Sequence, residues 1–427
     1  MKFKLYLILP FVALVSYSCK KKPVEDLAPQ EEIIIEEAKL DETVSAVIPH
    51  IYIETAGAVD VVSKDNYING TVRVDGKGVN TDLAINTMRI KGRGNSTWNK
   101  PKKPYRIKLD AAASVLGLQS ARDWVLLANW QDYTFMTNAV AMKIGKQLGM
   151  PYTNTIIPVD VTINGKYVGN YTLTEQIEVK DGRVNIGKEG VLLEMDTNYD
   201  EDWKFISTGY SLPVMVKAPE IDSEVQFNTI KQEFLDFEAL VKRSDFPNNN
   251  YGNYIDKQQL VNYLIVYNLT GNLEIKHPKS VYMHKAKGGK YTMGPIWDFD
   301  WGFGLDDDTR RYFEYPVDNP LFRLGDTNKG IVFFSRFLND PEVKNLYKST
   351  WDNYKNMKLD ELLKYIEQYA ASIRVSQTKD LERWKPNRSN YDAEWAPFAS
   401  NFPEIKKDLK TYLRKRANYI TSYVNKL

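Results

Sequence analysis

The sequence predicts an α+β fold, with mixed and antiparallel sheets through most of the chain and helices in its C-terminal part. Apolar and polar side chains alternate with a period of two in several runs between residues 50 and 178, as in half-buried strands. Asn164 and Gly165 separate two of these runs, and this dipeptide is a strong signal for a β-hairpin. Beyond residue 335, charged and tyrosine-rich stretches have helical spacing. We therefore expect a sheet-rich domain at 49–335 and a helical extension at 336–427.

The composition is that of an ordinary globular protein, with 43% apolar and 26% charged residues in a chain of 427. This length corresponds to about two domains, or to one large domain with appendages. The formal net charge of +2 favours neither nucleic acid nor an anionic membrane surface as a partner. We therefore expect no nucleic-acid partner.

The first 19 residues have the features of a bacterial lipoprotein signal. A basic start and a short apolar run precede Cys19, and the run is too short to span a membrane stably. Cys19 resembles the lipobox cysteine, which receives lipid and becomes the mature N-terminus. We expect a signal peptide at 1–19, a solvated tether at 20–48, and a membrane-anchored lipoprotein on the periplasmic or cell-surface side. An ordinary cleaved signal before an unrelated cysteine is the alternative.

Residues 85–110 predict two strands joined by a glycine-containing loop. Each strand places its apolar side chains on one face and its basic side chains on the other. Eight bases and no acid occur in this stretch between residues 89 and 108: Arg89, Lys91, Arg93, Lys100, Lys102, Lys103, Arg106 and Lys108. Glycines let backbone amides approach an anion, and arginine forks match phosphate. The pattern fits an anion-binding surface and also an ordinary solvated face.

The remaining elements follow from the same two periodicities. An apolar stripe at i, i+4 spacing predicts an amphipathic helix within residues 121–150, with Asp132 or Thr134 as its N-cap. The members of this stripe are Met136, Val140, Ile144 and Leu148. The hairpin at 158–178 places Glu175 at the end of a strand. Further on, the patterns predict a strand at 190–196, helices at 224–241 and 256–268, and hairpin strands at 280–285 and 290–296.

Two acids one residue apart, Asp298 and Asp300, follow this second hairpin in the run YTMGPIWDFDWGFG. Side chains at i and i+2 of an extended segment point to the same face, so both carboxylates are able to meet one cation. Two like charges side by side are unfavourable unless a positive charge stands opposite. A metal ion or a group of Lys and Arg side chains would supply it, and an acidic loop on an aromatic surface is the alternative.

The sequence offers few candidate ligands for a zinc ion. Cys19 is the only cysteine, which excludes an intramolecular disulfide, a cysteine-based zinc cluster and a cysteine nucleophile. His277 and His284 are the candidates to join Asp298, but their spacing of seven splits them between opposite faces of a strand. A serine hydrolase is disfavoured as well, because the sequence has no nucleophile elbow.

Taken together, these motifs resemble the CotH kinases, a family of secreted or spore-coat atypical protein kinases. The resemblance rests on RGNSTW with KKPYRIKL, on WVLLANWQD, on NGKYVGNYTLTEQI and on GPIWDFDWGFG. These segments occur in the family's order and cover residues 84–305. The resemblance implies an atypical protein-kinase-like core that uses ATP and Mg²⁺ to phosphorylate Ser or Thr of a protein.

The resemblance also implies roles for individual residues. The basic face would bind the phosphates through Arg93, Lys103, Arg106 and Lys108. Glu175 would position one of those lysines, and Asp300, with Asp298 beside it, would hold Mg²⁺. Asp298 and Asp300 are therefore both metal-binding and catalytic candidates.

One part of the sequence departs from the family's pattern. Glu274 stands where many members carry Asp, and Lys279 falls near the position of a later Asn. A glutamate at position 274 is still able to accept a hydroxyl proton, so we count it as catalytic, but a lysine cannot bind a second Mg²⁺. Two functions therefore remain: an active surface kinase, or a weak or inactive module that binds a polyanion, a glycan or a protein partner.

Overall fold

The computed structural model describes residues 37–306, 308–323, 325–385 and 400–427. Its first half is a closed barrel of seven strands in the order β1-β2-β3-β4-β5-β7-β6. The parallel pairing of β1 with β6 closes the barrel, and its other strand pairs are antiparallel. The strands are β1 (His50–Thr55), β2 (Ile68–Asp75), β3 (Leu83–Gly92), β4 (Tyr105–Ala113), β5 (Ala121–Leu127), β6 (Ile157–Ile163) and β7 (Lys166–Glu175).

The barrel forms because its strands alternate as the sequence predicts. Met88 pairs with Leu109, and Ile90 pairs with Ile107, across β3 and β4. All four of these side chains are buried. Arg89 pairs with Lys108 on the outer face. At the β6–β7 hairpin, Asn164 has φ of 49° and Gly165 has φ of 71°, the left-handed values that a two-residue type I′ turn requires. Both predicted hairpins of this region are confirmed.

A second sheet of five strands has the order β12-β11-β8-β10-β9, and its strand pairs are antiparallel. Its strands are β8 (Val191–Met195), β9 (Lys204–Ile206), β10 (Pro213–Ala218), β11 (Val281–Lys285) and β12 (Thr292–Met293). The central strand β8 is buried along its whole length. The predicted hairpin before the acidic pair is confirmed as β11 and β12.

Helices share one hydrophobic core with the second sheet. They are α1 (Thr137–Gln147), α2 (Glu224–Lys242), α3 (Lys257–Thr270), α4 (Lys329–Arg336), α5 (Pro341–Trp384) and α6 (Phe402–Val424). The central helix is α3, which packs on α1, α5 and α6 and is buried continuously from Leu260 to Thr270. Asp256 caps its start by accepting a bond from the Gln259 amide (3.0 Å), and Gly271 ends it with φ of 62°.

These observations confirm the α+β class and the helical nature of the C-terminal part. The side chains of α5 and α6, including Trp351 and Leu413, belong to the same hydrophobic core as α3 and the second sheet. The kinase-like character of the core and the division at residue 335 stay predictions.

The stretch 121–150, within which the sequence predicts a helix, begins with a strand. Its first part is strand β5, because Ala121–Leu127 pairs with β4 and β7, and helix α1 begins only at Thr137. Between them the Asp132 carboxylate accepts bonds from the amides of Thr134 and Thr137 (2.9 and 3.0 Å). The carboxylate therefore fixes the turn before the helix, and the N-cap is Met136 rather than the predicted Asp132 or Thr134.

The N-terminal part of the chain is only partly described. The expected tether reaches residue 48, but the side chains of Lys406 and Arg374 donate to the carbonyls of Lys39 and Val44 (both 2.7 Å). The end of the tether is therefore attached to α5 and α6. Cys19 and the signal lie outside the described residues, and no helix within the described ranges has the length and apolar character needed to cross a membrane.

Candidate functional site

A cleft of about 340 Å³ lies between the barrel and the second sheet. On the barrel side it is lined by the glycine loop (residues 93–97), by the segment 127–132 after β5, and by residues 176–177 after β7. Side chains of β8, β10 and β11 line the other side together with residues 297–301. A larger cavity of about 620 Å³ lies beside α6, but the acids predicted from the sequence line the smaller cleft. We therefore place the candidate site there.

The acidic pair is held in this cleft by its own backbone. Phe299, between the two acids, is fully buried, and its amide donates to Asn138 Oδ1 on α1 (3.0 Å). The Asn272 side-chain amide donates to the Asp298 carbonyl (3.2 Å), and the Tyr312 hydroxyl donates to the Asp300 carbonyl (2.5 Å). Three parts of the fold thus fix the loop and leave both carboxylates lining the cleft.

The carboxyl groups of the cleft repel one another. Burial raises the pKa of Asp300 well above its usual range, and the nearby Asp298 and Glu274 raise it further. Burial and the charge of Asp298 likewise raise the pKa of Glu274, against an opposing effect of Lys279. Asp300 Oδ1 and Glu274 Oε2 are buried and have no hydrogen-bond partner among the described residues. The site therefore holds more negative charge than its own side chains compensate.

These oxygens fit a hard divalent cation. Within the described ranges no three Asp, Glu, His or Cys side chains form a ready-made metal cluster. A complete set of protein ligands is therefore not built in. Mg²⁺ commonly binds through one or two carboxylates and completes its shell with water and the phosphates of a substrate. Asp298 and Asp300 match that mode of binding.

Arg93 is the predicted cation that the structure places in the cleft. Its guanidinium lies 5.3 Å from the centre of the Trp297 ring, and its amide donates to the Pro104 carbonyl (3.2 Å). Burial lowers the pKa of Arg93, whereas the opposing charge of Asp298 raises it. Arg93 therefore provides part of the positive charge opposite the acidic pair.

The other predicted phosphate-binding bases do not line the cleft. Lys103 donates to the Trp98 carbonyl (2.6 Å), and Arg106 is paired with Asp123 on the next strand (2.8 Å). Lys108 lies on the outer face of the barrel, because its neighbours along β4 point inward. Their phosphate-binding role stays a prediction that this geometry does not support.

Glu175 has a different partner from the one predicted. Its carboxylate accepts a bond from the Thr155 amide (2.7 Å) and is buried there, outside the lining of the cleft. It thus fixes the segment between α1 and β6, and the expected pairing with a lysine of the basic face stays a prediction that this geometry does not support. A glutamate at the end of a strand is able to bond many neighbours, and the sequence alone does not select among them.

A lysine–glutamate pair in the cleft was missed by the sequence analysis. Lys217 Nζ on β10 lies 3.1 Å from Glu194 Oε2 on β8 and also contacts Glu201. Burial lowers the pKa of Lys217, but the two carboxylates outweigh this effect and raise it. The available signal was an acid inside the buried strand 190–196, since a buried acid normally has a partner. Lys217 is thus a second ordered cation in the cleft.

Asp132 also lines the cleft, and its charge contributes to the raised pKa of Asp300. Burial raises the pKa of Asp132 itself, against the effect of its bonds to Thr134 and Thr137. In the sequence, Asp132 stands out only as a candidate helix cap. The strand–turn–helix unit of β5 and α1 thus places one more carboxylate in the cleft.

This chain matches a known protein family over most of its length. A family model described as CotH kinase protein matches residues 90–420, a range that includes the cleft residues and most of the C-terminal helices. A search of curated proteins returned no match. The chain belongs to the CotH kinase family, and this membership indicates a kinase-like function.

Proposed function

We propose that this protein is a kinase that transfers the γ-phosphoryl group of ATP to a Ser or Thr hydroxyl of a protein, with Mg²⁺ as the cofactor. The observation that carries this proposal is the arrangement of the cleft. Asp298, Asp300 and Glu274 line it together with Arg93, and the charge of Asp298 acts on the Arg93 guanidinium. Burial raises the pKa values of Asp300 and Glu274, and Asp300 Oδ1 is buried without a hydrogen-bond partner among the described residues. Phosphoryl transfer needs this kind of charge placement and little covalent chemistry.

Asp298 and Asp300 would hold the Mg²⁺ ion, which neutralises phosphate charge when it is bound. Arg93 and the amides of the glycine loop would bind phosphate oxygens on the opposite side. Gly94 has φ of 79°, and a Cβ there would lie 2.4 Å from Thr97 Oγ1. The loop therefore needs glycine at this position to bring its backbone close to an anion.

Glu274 is the candidate general base. It lines the cleft, and its unpartnered Oε2 atom would accept the proton of the attacking hydroxyl. Its pKa is raised by burial and by Asp298. A cation bound to Asp298 would compensate that charge and favour the ionised, proton-accepting form of Glu274. Glu274 would thus be in its proton-accepting form when a cation is bound at Asp298.

The proposal is tested by incorporation of labelled γ-phosphate into the protein itself and into a Ser-rich acceptor. The wild-type protein should incorporate label only with a divalent cation, and Asp300→Ala should lose more than about a hundredfold in rate. Asp236→Ala on the exposed face of α2 is the matched control and should retain full activity. Absence of any Mg-ATP-dependent thermal shift in the wild-type protein would overturn the proposal.

A second candidate is a weak or inactive surface module that binds a polyanion, a glycan or a protein partner. Lys279 favours it, because this residue lines the cleft and offers a cation where a metal ligand is expected from the family pattern. Polyanion binding that survives the double substitution Asp298→Ala and Asp300→Ala, but is lost in Arg93→Ala, would support this candidate over the kinase.

We also propose that a lipid on Cys19 anchors the protein on the periplasmic or cell-surface side of a bacterial membrane. The support is the sequence of the first 19 residues. Cys19→Ser should move the protein from the membrane fraction to the soluble exported fraction. Retention of Cys19→Ser in the membrane fraction would contradict the proposal.

A further inference from the structure

One lysine of the basic stretch is removed from solvent altogether. Lys102 follows the glycine loop, and its side chain is 1% exposed. Its ammonium group pairs with the carboxylate of Asp380 on α5, which is also 1% exposed, and donates to the Asn170 carbonyl (2.5 Å). The two partners are 278 residues apart in the chain. A buried pair of this kind has a large desolvation cost, so its surroundings must be well matched to it.

Strand β7 is shaped to accept this pair. Gly169 has φ of 117°, and a Cβ at this position would lie 2.2 Å from Asp380 Oδ1 and 3.0 Å from Lys102 Cε. Glycine therefore allows both charged groups to reach the strand. The Asn170 amide donates to the same Asp380 oxygen (2.8 Å), and the Tyr171 ring centre lies 4.8 Å from Lys102 Nζ. The carboxylate and the ammonium group both have strong partners as a result.

The pair is attached directly to the base of the glycine loop. Lys102 lies two residues before Pro104, whose carbonyl accepts the Arg93 amide and closes the loop. The neighbouring Lys103 carbonyl accepts a bond from the Tyr171 hydroxyl on β7 (2.9 Å). The segment that returns from the loop is therefore fastened to β7 and to α5 at once.

The end of α5 reaches the other side of the cleft as well. The Trp384 ring packs edge-on against Trp130, with 5.8 Å between the ring centres, and Trp130 lines the cleft after β5. The Trp384 indole also donates to the Val168 carbonyl of β7 (3.0 Å). One helix end thus contacts both barrel-side segments that border the candidate phosphate site.

We propose that Lys102 and Asp380 are positioning residues, through which α5 sets the conformation of the glycine loop and thereby the affinity for nucleotide phosphates. This inference rests on the proposed kinase function for its phosphate part only. It makes the C-terminal helix a component of the site, and it removes Lys102 from the bases that contact phosphate. Loss of the pair frees the loop base and misplaces Arg93 and the loop amides relative to the bound phosphates.

The test compares Lys102→Met and Asp380→Asn with Lys257→Met in the full chain. Lys257 pairs with Asp340 (2.8 Å) at the opposite end of α5, so its loss disturbs the same helix without touching the loop. Hydrogen exchange of residues 92–104, without nucleotide, should become faster in the first two variants and stay unchanged in Lys257→Met. The KM for Mg-ATP should rise roughly tenfold in those two variants, while kcat changes less than about twofold.

Unchanged exchange at 92–104 would overturn the positioning role, because the pair would then have no effect on the loop. Equal acceleration in Lys257→Met would overturn it too, because it would indicate a global loss of stability. If the wild-type protein neither binds nor turns over Mg-ATP, the kinase proposal fails, and hydrogen exchange still decides whether α5 positions the loop. Should Lys102→Met not fold, the double variant Lys102→Met with Asp380→Leu removes both charges and is measured in the same way.

Discussion

The acidic loop of the cleft and the buried pair behind the glycine loop both remove charge from water, but in opposite ways. The Asp298 and Asp300 carboxylates are like charges in one cleft, and burial together with Asp298 raises the pKa of Asp300. Asp300 Oδ1 is buried there and has no hydrogen-bond partner among the described residues. Lys102 and Asp380 neutralise each other and bond the backbone of β7. Buried charge that is compensated stabilises a conformation, whereas buried charge that is left uncompensated indicates a site for a ligand of opposite sign.

Substitution of Lys102 is the strongest test of this contrast between compensated and uncompensated buried charge. Replacing it with Met leaves the Asp380 carboxylate buried without its cation, so we expect a loss of about 3–5 kcal/mol in the free energy of unfolding. Urea unfolding at neutral pH measures this loss, with Asp236→Ala as the unchanged control. A loss below about 1 kcal/mol would show that the buried pair is not more important than an ordinary surface pair.

The acidic loop should respond in the opposite direction. Asp300→Asn removes a repelled charge, so the metal-free protein should become more stable by about 1 kcal/mol at pH 8, while phosphoryl transfer is lost. Added Mg²⁺ should stabilise the wild-type protein more than this variant. Urea unfolding with EDTA or with Mg²⁺ measures both effects. A variant that is less stable than the wild type with EDTA present would argue against electrostatic repulsion in the cleft.

The same repulsion predicts how stability depends on pH. The pKa values of Asp300 and Glu274 are raised, so the folded protein binds protons that the unfolded chain has already released. The contribution of these two carboxyl groups to the free energy of unfolding of the metal-free protein therefore falls as the pH rises from about 4 through these raised values, and then levels off. The advantage of Asp300→Asn should accordingly shrink as the pH is lowered from 8 to 5. A pH-independent advantage would contradict this sign.

The smallest effect is expected on the outer face of the barrel. Arg106 is 31% exposed beside Asp123, so Arg106→Ala should cost about 1 kcal/mol or less and leave Mg-ATP affinity unchanged. Arg93→Ala is the matched variant inside the cleft and should weaken nucleotide binding at least tenfold, as expected for a charge-assisted contact. Isothermal titration with Mg-ATP separates the two. Equal losses of Mg-ATP affinity in the two variants would indicate that Arg106 also binds the phosphates.

Much of the local structure was predictable, because strands, turns and caps depend on neighbouring residues. The alternation in β3 and β4 and the turn at Asn164 were both recognised in the sequence and are confirmed. The start of the helix after β5 was not predicted, because the Asp132 carboxylate accepts a hydrogen bond from the Thr137 hydroxyl, five residues further along the chain. The hydrogen bonds of one side chain, rather than the i, i+4 spacing of apolar residues, decide where this helix begins.

The candidate site was predictable only in part. The acidic pair and Arg93 were singled out from the sequence and do line one cleft, but Glu175 bonds the Thr155 amide. The ordered cation Lys217 was overlooked, because its position on β10 has meaning only once β8 lies beside it. Which polar groups meet depends on pairing between distant strands, and hydrophobic periodicity does not encode those pairings.

The sequence by itself determined the α+β class, the strands and hairpins of the barrel, the acidic pair and the resemblance that the family match confirms. Only the tertiary structure decided what each base does. Lys102, Lys103 and Arg106 look equivalent in the sequence, yet one is buried against Asp380, one bonds a nearby carbonyl and one pairs across strands. The physical reason is that alternation fixes only the face of a strand. The partner of a charge depends on which groups the fold brings beside it, from Trp98, five residues from Lys103, to Asp380, 278 residues from Lys102.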